Sequence, residues 1–252
     1  MSSIAAPMAD APLAGLTGRG VRVAVVDSGA HPANPHIRAI AGGVLIGQAG
    51  PLGDAQADWL DALGHGTAVM AAIQEQAPDA ECHAVRVFEA TLSTTATRLI
   101  RAIEWSIDNG ADIVNLSLGT PNPAHRAAFE ALAARAAEAG TLLVSARQAG
   151  GEPSLPGSLP GVIGVDLDWD CPEDRYGQLR VDDRTAFAAT GYPRAIEGVP
   201  QRRNLYGISF AVARLSGFAA RACQRLREEG RAITIENVNA LLAQAIAERP
   251  AA

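Results

Sequence analysis

Three side chains that lie far apart in the sequence together supply the groups that nucleophilic acyl transfer requires. That reaction needs a hydroxyl, an imidazole that takes its proton, and a buried carboxylate that orients the imidazole and stabilises its cation. Asp27 ends an apolar run, His65 lies between two glycines, and Ser209 begins a helical pattern. Because local structure cannot join these residues, only the fold can assemble such a site.

Each of these residues also has a simpler interpretation when it is taken alone. Asp27 can be a turn residue at the end of a strand. The glycines that flank His65 disfavour a helix start but permit close approach of another backbone segment, which favours a functional histidine. The remaining histidines have no such context, and surface or core roles are expected for them: His31, His36, His83 and His125.

Alternating apolar strands and helical patterns predict how the chain positions these groups. A β-branched run at 21–26 predicts a buried strand that ends at Asp27. Further strands are expected at 82–88, 111–116, 142–145 and 162–165, with helices at 65–76, 94–109, 123–139, 209–228 and 234–247. Strands that alternate with helices form right-handed βαβ units and a parallel sheet. We therefore predict an α/β fold, doubly wound, with a mainly parallel central sheet and helices on both faces.

The end of the first strand is the place where such a sheet would bind its ligand, which gives Asp27 functional weight. A dinucleotide-binding fold is the obvious rival, but its glycine fingerprint must follow the first strand. Gly18 and Gly20 precede that strand, and residues 27–32 offer no phosphate cradle after it. The sequence therefore does not support dinucleotide binding.

The composition indicates one packed domain over residues 1–252. Of the 252 residues, 48% are hydrophobic and 19% are charged, and no apolar run approaches the roughly 20 residues of a membrane span. The 21 basic residues, all arginines, are spread among 27 acidic ones without a basic stripe, so nucleic acid is not expected as a partner. Residues 1–16 are predicted to form a flexible N-terminal arm, and 229–252 to contain a C-terminal helix.

The N-terminal segment and the cysteines bear on the cellular compartment. Residues 1–16 contain no Lys or Arg and lack the layout of a secretory signal, so a cytoplasmic location is expected. Cys82, Cys171 and Cys223 lie far apart, which predicts neither a zinc pattern nor a disulfide framework. Buried, inert thiols are therefore expected.

The order of the three candidate residues along the chain distinguishes between hydrolase families. Chymotrypsin-like enzymes have the order His, Asp, Ser and α/β-hydrolases the order Ser, Asp, His, whereas subtilisin-like enzymes have the order Asp, His, Ser. This chain has the last order, and from about Leu16 to Leu226 it resembles the subtilase family. Five blocks in the correct order carry the resemblance: 17–29, 64–67, 77–87, 110–119 and 206–211.

The resemblance implies a role for each candidate residue. Asp27 would be the orienting carboxylate, His65 the general base and then acid, and Ser209 the nucleophile in hydrolysis of a peptide or protein substrate through an acyl-enzyme, with no cofactor and no metal. The Ser209 N–H, at the positive end of helix 209–228, would favour an oxyanion. An edge segment would pair with the extended substrate backbone, and it consists of Ser117, Leu118 and Gly119.

The oxyanion loop departs from the family pattern. The family's second oxyanion donor is an Asn in a loop that usually reads Ala-Gly-Asn, and residues 142–151 contain no Asn. Loss of that donor costs about 10²–10³ in turnover, a value that was measured in a subtilisin. Gln148 carries an amide one position from the expected place and would substitute if the loop shifts. Arg147 is expected to be a solvated loop residue or, alternatively, to contact an acidic group of the substrate.

Further departures concern the nucleophile segment, the N-terminus and metal binding. Ile208 stands where the family usually has Thr, and Ala213 where it usually has Pro. Only about twenty residues precede the first strand, so the chain is expected to fold without the family's prodomain. Helix 65–76 leaves no room for the family's calcium loop, and the acidic residues of 166–174 either form a solvated loop or ligate calcium.

Two functions follow from these observations. The leading hypothesis is an intracellular serine endopeptidase of narrow specificity that processes a peptide or protein; the short loops and the missing Asn suggest the narrowness. The alternative is a catalytically impaired or inactive subtilase-fold protein that binds a peptide or protein partner at the same edge. The complete set of Asp, His and Ser favours the enzyme, and the missing Asn favours the binding protein. The sequence leaves the side-chain preference and the oligomeric state open.

Overall fold

The computed structural model describes residues 12–247 and shows a three-layer α/β fold. Its strands are β1 Arg22–Asp27, β2 Gly42–Ile46, β3 Pro51–Gly53, β4 Glu81–Arg86, β5 Ile113–Leu116, β6 Leu142–Ala146, β7 Gln148–Ala149, β8 Glu152–Pro153, β9 Val162–Leu167, β10 Gly177–Val181 and β11 Arg184–Ala189. Its helices are α1 Gln56–Trp59, α2 His65–Gln76, α3 Ala96–Asp108, α4 Arg126–Ala139, α5 Ile208–Glu228 and α6 Ile235–Ala247.

Within the described residues, nine strands form the central sheet in the order β10-β11-β9-β6-β5-β1-β4-β2-β3. The inner strands run parallel, and β3 and β10 run antiparallel at the two edges. The chain builds one side of the sheet from β1 through β4 and then crosses to β5 to build the other side. Asp27 therefore ends the strand at which the strand order reverses, where sheets of this type bind ligands.

The side chains of β1 alternate between two hydrophobic cores. Val23 and Val25 pack on the face that α2, α5 and α6 cover, whereas Ala24 and Val26 pack on the face that α3 and α4 cover. This alternation follows from the period of two in a β-strand. The predicted doubly wound architecture, with helices on both faces of a mainly parallel sheet, is confirmed.

Helices α2 and α5 lie in close contact on the same face of the sheet. A Cβ atom on Gly217 of α5 would lie only 2.6 Å from Cβ of Gln76 and 2.8 Å from the carbonyl oxygen of Ile73, both on α2. Because α2 begins at His65 and α5 at Ile208, this contact fixes the relative position of the two helices that carry the imidazole and the hydroxyl.

A buried arginine, Arg214 of α5, strengthens the same contact. Its Nη1 lies 3.0 Å from Oε2 of Glu75 on α2, and its Nη2 lies 3.1 Å from Oε2 of Glu173 in the loop that follows β9. The guanidinium also donates to the backbone carbonyls of Tyr192, Pro193 and Glu173. The cation therefore joins α5, α2 and two loops through a paired and hydrogen-bonded network.

Arg214→Met is expected to lower the free energy of unfolding by about 3 kcal/mol, because the carboxylates and carbonyls around it lose their donor. We choose the low end of the range for a broken buried pair since Glu75 and Glu173 keep partial contact with water. Urea unfolding measures the difference. Arg101→Met, which breaks an exposed pair with Glu104, is the matched control and should cost less than about 1 kcal/mol. Equal losses in both variants would contradict the role given to Arg214.

The predicted N-terminal arm is only in part open to comparison, because residues 1–11 lie outside the described residues. Over 12–16 the structure shows contacts with the core and with α5. Leu13 is buried against the core, and Nε of Arg225 on α5 donates to the carbonyl oxygen of Pro12 at 3.0 Å. Apolar contact and a backbone hydrogen bond therefore fix this stretch on α5.

The C-terminal helix that was expected within 229–252 is observed as α6, and residues 248–252 lie outside the described range. Val238 and Leu242 of α6 are buried in the same core as α5. The apolar stripe of this helix thus packs on its own domain. No helix within residues 12–247 is long and apolar enough to cross a membrane.

Candidate active site

Asp27 and His65 form a buried hydrogen-bonded pair at the carboxyl end of β1. Nδ1 of His65 lies 2.8 Å from Oδ1 and 3.0 Å from Oδ2 of Asp27, whose side chain is inaccessible to solvent. The backbone N–H of Ser28 donates to Oδ1 of Asp27 at 2.7 Å and holds the carboxylate in place. A carboxylate only accepts hydrogen bonds, so the neutral imidazole carries its proton on Nδ1. Its Nε2 is then a free base.

The glycines around His65 have the structural reason that the sequence suggested. Gly64 precedes α2 with a φ of 79°, in the left-handed region that favours glycine. A Cβ atom on Gly66 would lie 2.3 Å from the carbonyl oxygen of Gly29, which follows β1. Bare backbone at residue 66 therefore lets the first turn of α2 approach the end of β1, and this approach brings His65 to Asp27.

A second carboxylate, Asp61, organises the loop that leads to His65. It is buried, and its oxygens accept hydrogen bonds of 2.6–2.9 Å from Ser28 Oγ, from the N–H groups of Leu63, Gly64 and Thr67, and from Thr67 Oγ1. Ser28 Oγ in turn accepts from the N–H of Gly66 at 2.8 Å. Asp61 was not among the site residues predicted from the sequence. A short acidic side chain just before a helix start was the available signal, because such residues cap helix N-termini.

The surroundings of His65 set its basicity. Burial by itself would lower the pKa of the imidazole, but its hydrogen bond to Asp27 and the charges of Asp27 and Asp61 outweigh that effect, so the pKa lies above its ordinary value. A raised pKa means that the imidazole is protonated, and unable to accept a proton, up to a higher pH than a free histidine. On acidification, activity that depends on neutral His65 should therefore fall at a higher pH than it would with an unperturbed histidine.

Ser209 lies in the first turn of α5, one residue before Phe210. The ring of His65 contacts the ring of Phe210, with centroids 5.6 Å apart, which places the start of α5 against the histidine. Oγ of Ser209 donates to the carbonyl oxygen of Ser117 at 3.1 Å, rather than to His65. The structure thus brings Asp27, His65, Ser209 and Ser117 into one site.

The edge segment Ser117–Gly119 follows β5 and is fixed by contacts with residues 154–155. Thr120 and Leu155 exchange backbone hydrogen bonds of 3.0 and 2.8 Å, and a Cβ atom on Gly119 would lie 2.5 Å from Oγ of Ser154. Leu118 packs partly against the core on the α3 and α4 face, whereas Gly119 is exposed. The segment therefore begins beside Ser209, at Ser117, and its backbone reaches the surface at Gly119.

The loop that follows β6, where the family's second oxyanion donor would lie, is held in place by an ion pair. Nη2 of Arg147 lies 2.6 Å from Oδ2 of Asp166, and its Nε lies 2.9 Å from the same oxygen. The sequence suggested a solvated Arg147 or one that contacts an acidic group of the substrate. In the structure its guanidinium is instead paired with Asp166. Gln148, with its amide oxygen turned to the guanidinium, accepts from Arg147 at 2.9 and 3.1 Å. It lines a cavity together with Ile208, the residue before Ser209.

The described residues form no metal centre here, and the predicted burial of the cysteines holds for Cys82 and Cys223, whereas Cys171 is partly exposed. In the part of the chain that the structure describes, no group of three or more His, Cys, Asp and Glu side chains is placed to hold a metal ion. Asp166, one of the acidic residues considered for calcium, is engaged by Arg147. Burial raises the pKa of Cys82 to about 12 and also raises that of Cys223, so both thiols stay protonated.

Sequence comparison identifies relatives of the N-terminal two thirds of the chain. Residues 18–166 match the profile described as the subtilase family, a range that includes Asp27 and His65 but not Ser209. Subtilisin Savinase of Lederbergia lenta is 35% identical over 150 residues, which cover 56% of this chain and 52% of that protein. An alkaline protease of Alkalihalobacillus alcalophilus is 35% identical over 150 residues, which cover 56% of this chain and 37% of that protein. The match thus spans about half, or less, of these relatives.

Structure comparison extends the likeness to nearly the whole described chain. A crystal structure of a lanthipeptide protease superposes with a TM-score of 0.66 at 19% identity, covering 87% of this chain and 78% of that chain. The structure of the prenylagaramide maturation protease PagA superposes with a TM-score of 0.63 at 22% identity, covering 90% and 92%. At these identities the comparison establishes a shared fold.

Proposed function

Because the chain belongs to the subtilase family, we propose that it is a serine endopeptidase that hydrolyses peptide bonds through an acyl-enzyme formed on Ser209. The observation that carries this proposal is the buried Asp27–His65 pair, which leaves Nε2 of His65 as a base next to the first turn of α5. A protein that only bound a peptide would have no use for an oriented imidazole beside a serine.

The proposed reaction begins when Oγ of Ser209 leaves the Ser117 carbonyl and turns to His65. His65 takes the hydroxyl proton at Nε2 as Oγ attacks the substrate carbonyl, and Asp27 stabilises the imidazolium. His65 then gives the proton to the leaving amine, and the acyl group stays on Ser209. Water attacks the acyl-enzyme with His65 again as the base, which releases the second product and restores the site.

The substrate is proposed to be a peptide or protein segment that lies extended along the edge segment Ser117–Gly119. Backbone pairing with such an edge gives affinity without side-chain selection. Narrow specificity and a processing role remain part of the proposal, since the loops around the site are short. The cytoplasmic location remains a prediction of the sequence.

Gln148 is proposed as the second oxyanion donor beside the N–H of Ser209. Its amide oxygen is occupied by Arg147, which leaves its amide N–H₂ group to donate elsewhere, and it lines the same cavity as Ile208. Gln148→Ala should therefore lower kcat by about 10²–10³, the value that loss of such a donor costs in a subtilisin. Single-turnover kinetics measure the acylation rate. An unchanged rate would show that the Ser209 N–H acts without Gln148.

The proposed activity is tested by incubating the protein with a proteome-derived peptide library and identifying new termini by mass spectrometry. We expect new termini with the wild type and none with Ser209→Ala. The alternative function, peptide binding without hydrolysis, would give no new termini but retention of library peptides by the immobilised wild type and by Ser209→Ala alike.

A further inference from the structure

Beside Ser209 the structure has an apolar surface whose side chains have no part in the proposed proton transfers or in the acyl-enzyme. We propose that this surface binds an apolar or aromatic side chain of the peptide substrate, on the opposite side of the scissile bond from the residues that pair with Ser117–Gly119. The inference rests on the proposed function and names a preference of the same site. The surface, called the apolar shelf below, consists of Leu167, Trp169, Leu179, Tyr192, Tyr206 and Ile208.

The inner part of the apolar shelf is a cavity next to the nucleophile. It has a volume of about 520 Å³ and is lined by Ile208, Leu167, Leu179 and the turn at 148–151. This volume falls within the roughly 300–1,000 Å³ of ordinary ligand sites. The charged group in its lining, Asp166, is neutralised by its two-point pairing with Arg147. The lining therefore carries no unpaired charge, and Leu167, Leu179 and Ile208 give it an apolar side.

The outer part of the apolar shelf is a solvent-exposed cluster of aromatic rings. The indole of Trp169 is 45% exposed and lies 5.1 Å from the ring of Tyr192 and 6.3 Å from that of Tyr206, which is 68% exposed. A Cβ atom on Gly191 would lie 2.5 Å from Leu167 and 2.8 Å from the indole, so bare backbone at 191 seats both side chains. Contiguous exposed apolar side chains of this kind mark binding surfaces.

The apolar shelf is continuous with the nucleophile. Tyr206 lies three residues before Ser209, and the N–H of Gly207 donates to the carbonyl oxygen of Gly191 at 2.8 Å, which joins the two loops. No residue of the edge segment Ser117–Gly119 lines the cavity. Ser209 lies between the two surfaces, since its Oγ contacts Ser117 of the edge segment and the preceding residue, Ile208, lines the cavity. One extended peptide that pairs with the edge segment would reach the shelf beyond Ser209. This continuity argues for the substrate itself as the occupant.

The preference is tested with two peptides that differ only in Phe against Ala at one position. The cleavage sites found in the library supply the peptide sequence. The varied position is the one that is enriched in aromatic residues on the side of the scissile bond opposite to the residues that pair with the edge segment. For the wild type we expect kcat/KM to be roughly 10-fold or more higher with Phe, the usual worth of burying such a side chain. Tyr206→Ala and Trp169→Ala should bring that ratio towards one.

Leu92→Ala, which truncates an exposed leucine elsewhere, is the matched control and should leave the Phe-to-Ala ratio unchanged. A ratio that stays high in both shelf variants, or falls equally in the control, would overturn the proposal. Enrichment of cationic rather than aromatic residues at this position would also overturn it.

A binding measurement separates failure of the apolar shelf from failure of the proposed activity. In Ser209→Ala, N-acetylphenylalaninamide should protect the Trp169 fluorescence from acrylamide quenching, whereas N-acetylalaninamide should not, and Trp169→Phe should abolish the effect. Protection without any hydrolysis by the wild type would keep the shelf and reject the peptidase. Hydrolysis without protection would reject the shelf. Protection that grows with protein concentration alone would also reject it as a substrate site and would indicate a second copy of the chain as its occupant.

Discussion

Ser209→Ala is expected to lower kcat for peptide hydrolysis by about 10⁶-fold, a magnitude that was measured in a subtilisin. The hydroxyl is the atom that forms the acyl-enzyme, and no neighbouring group can replace it. His65→Ala should cost about as much, and the double variant little more, because the two residues act as one unit. Initial rates on a cleaved library peptide measure the effect.

The matched control for this prediction is Ser158→Ala, which removes a buried hydroxyl that has no hydrogen-bond partner among residues 12–247. It should leave kcat within a factor of about two, since surface and unpaired positions contribute little. Substantial activity in Ser209→Ala would show that another residue is the nucleophile, and the proposed mechanism would be wrong.

Asp27→Asn is expected to lower kcat by about 10⁴-fold, the loss found for the equivalent change in another serine protease. An Asn side chain can donate to Nδ1, which moves the imidazole proton to Nε2 and removes the base. The variant also loses the hydrogen bond and the charge that raise the pKa of His65. The acid limb of its residual activity should therefore lie at a lower pH than the acid limb of the wild type.

The pH dependence of kcat/KM for wild type and Asp27→Asn measures this shift. Asp61→Asn is the comparison variant, because its charge raises the pKa of His65 less than Asp27 does and it makes no hydrogen bond to the imidazole. We expect a smaller displacement of the acid limb in Asp61→Asn. An acid limb in the same place in all three proteins would show that His65 does not set it.

The sequence was a good guide wherever local periodicity and position decide the structure. The β-branched run before Asp27 and the helix that starts at His65 are found as predicted, because both elements bury a continuous apolar face. The same pattern failed for β10 and β11. Gln178 and Arg180 place polar side chains on β10, and the turn at Asp182 and Asp183 adopts positive φ without a glycine.

The parts of the site that escaped prediction depend on partners that are distant in sequence. No local sequence signal distinguishes Arg214 from the other polar residues of its helix, yet it is buried because Glu75 and Glu173, on other elements, pair with it. Asp61 gains its importance from Ser28, which only the fold brings near. Arg147 is paired with Asp166 because β6 and β9 are neighbours in the sheet. Side-chain networks of this kind become visible only when the topology is known.

The most direct test of the central claim, that Asp27, His65 and Ser209 form an activated nucleophile, is labelling of the purified protein with a fluorophosphonate. This probe reacts with an activated serine and requires no knowledge of the substrate. We predict rapid labelling that mass spectrometry assigns to Ser209 and that His65→Ala abolishes. No labelling of wild-type protein whose circular dichroism shows the native fold would contradict the account.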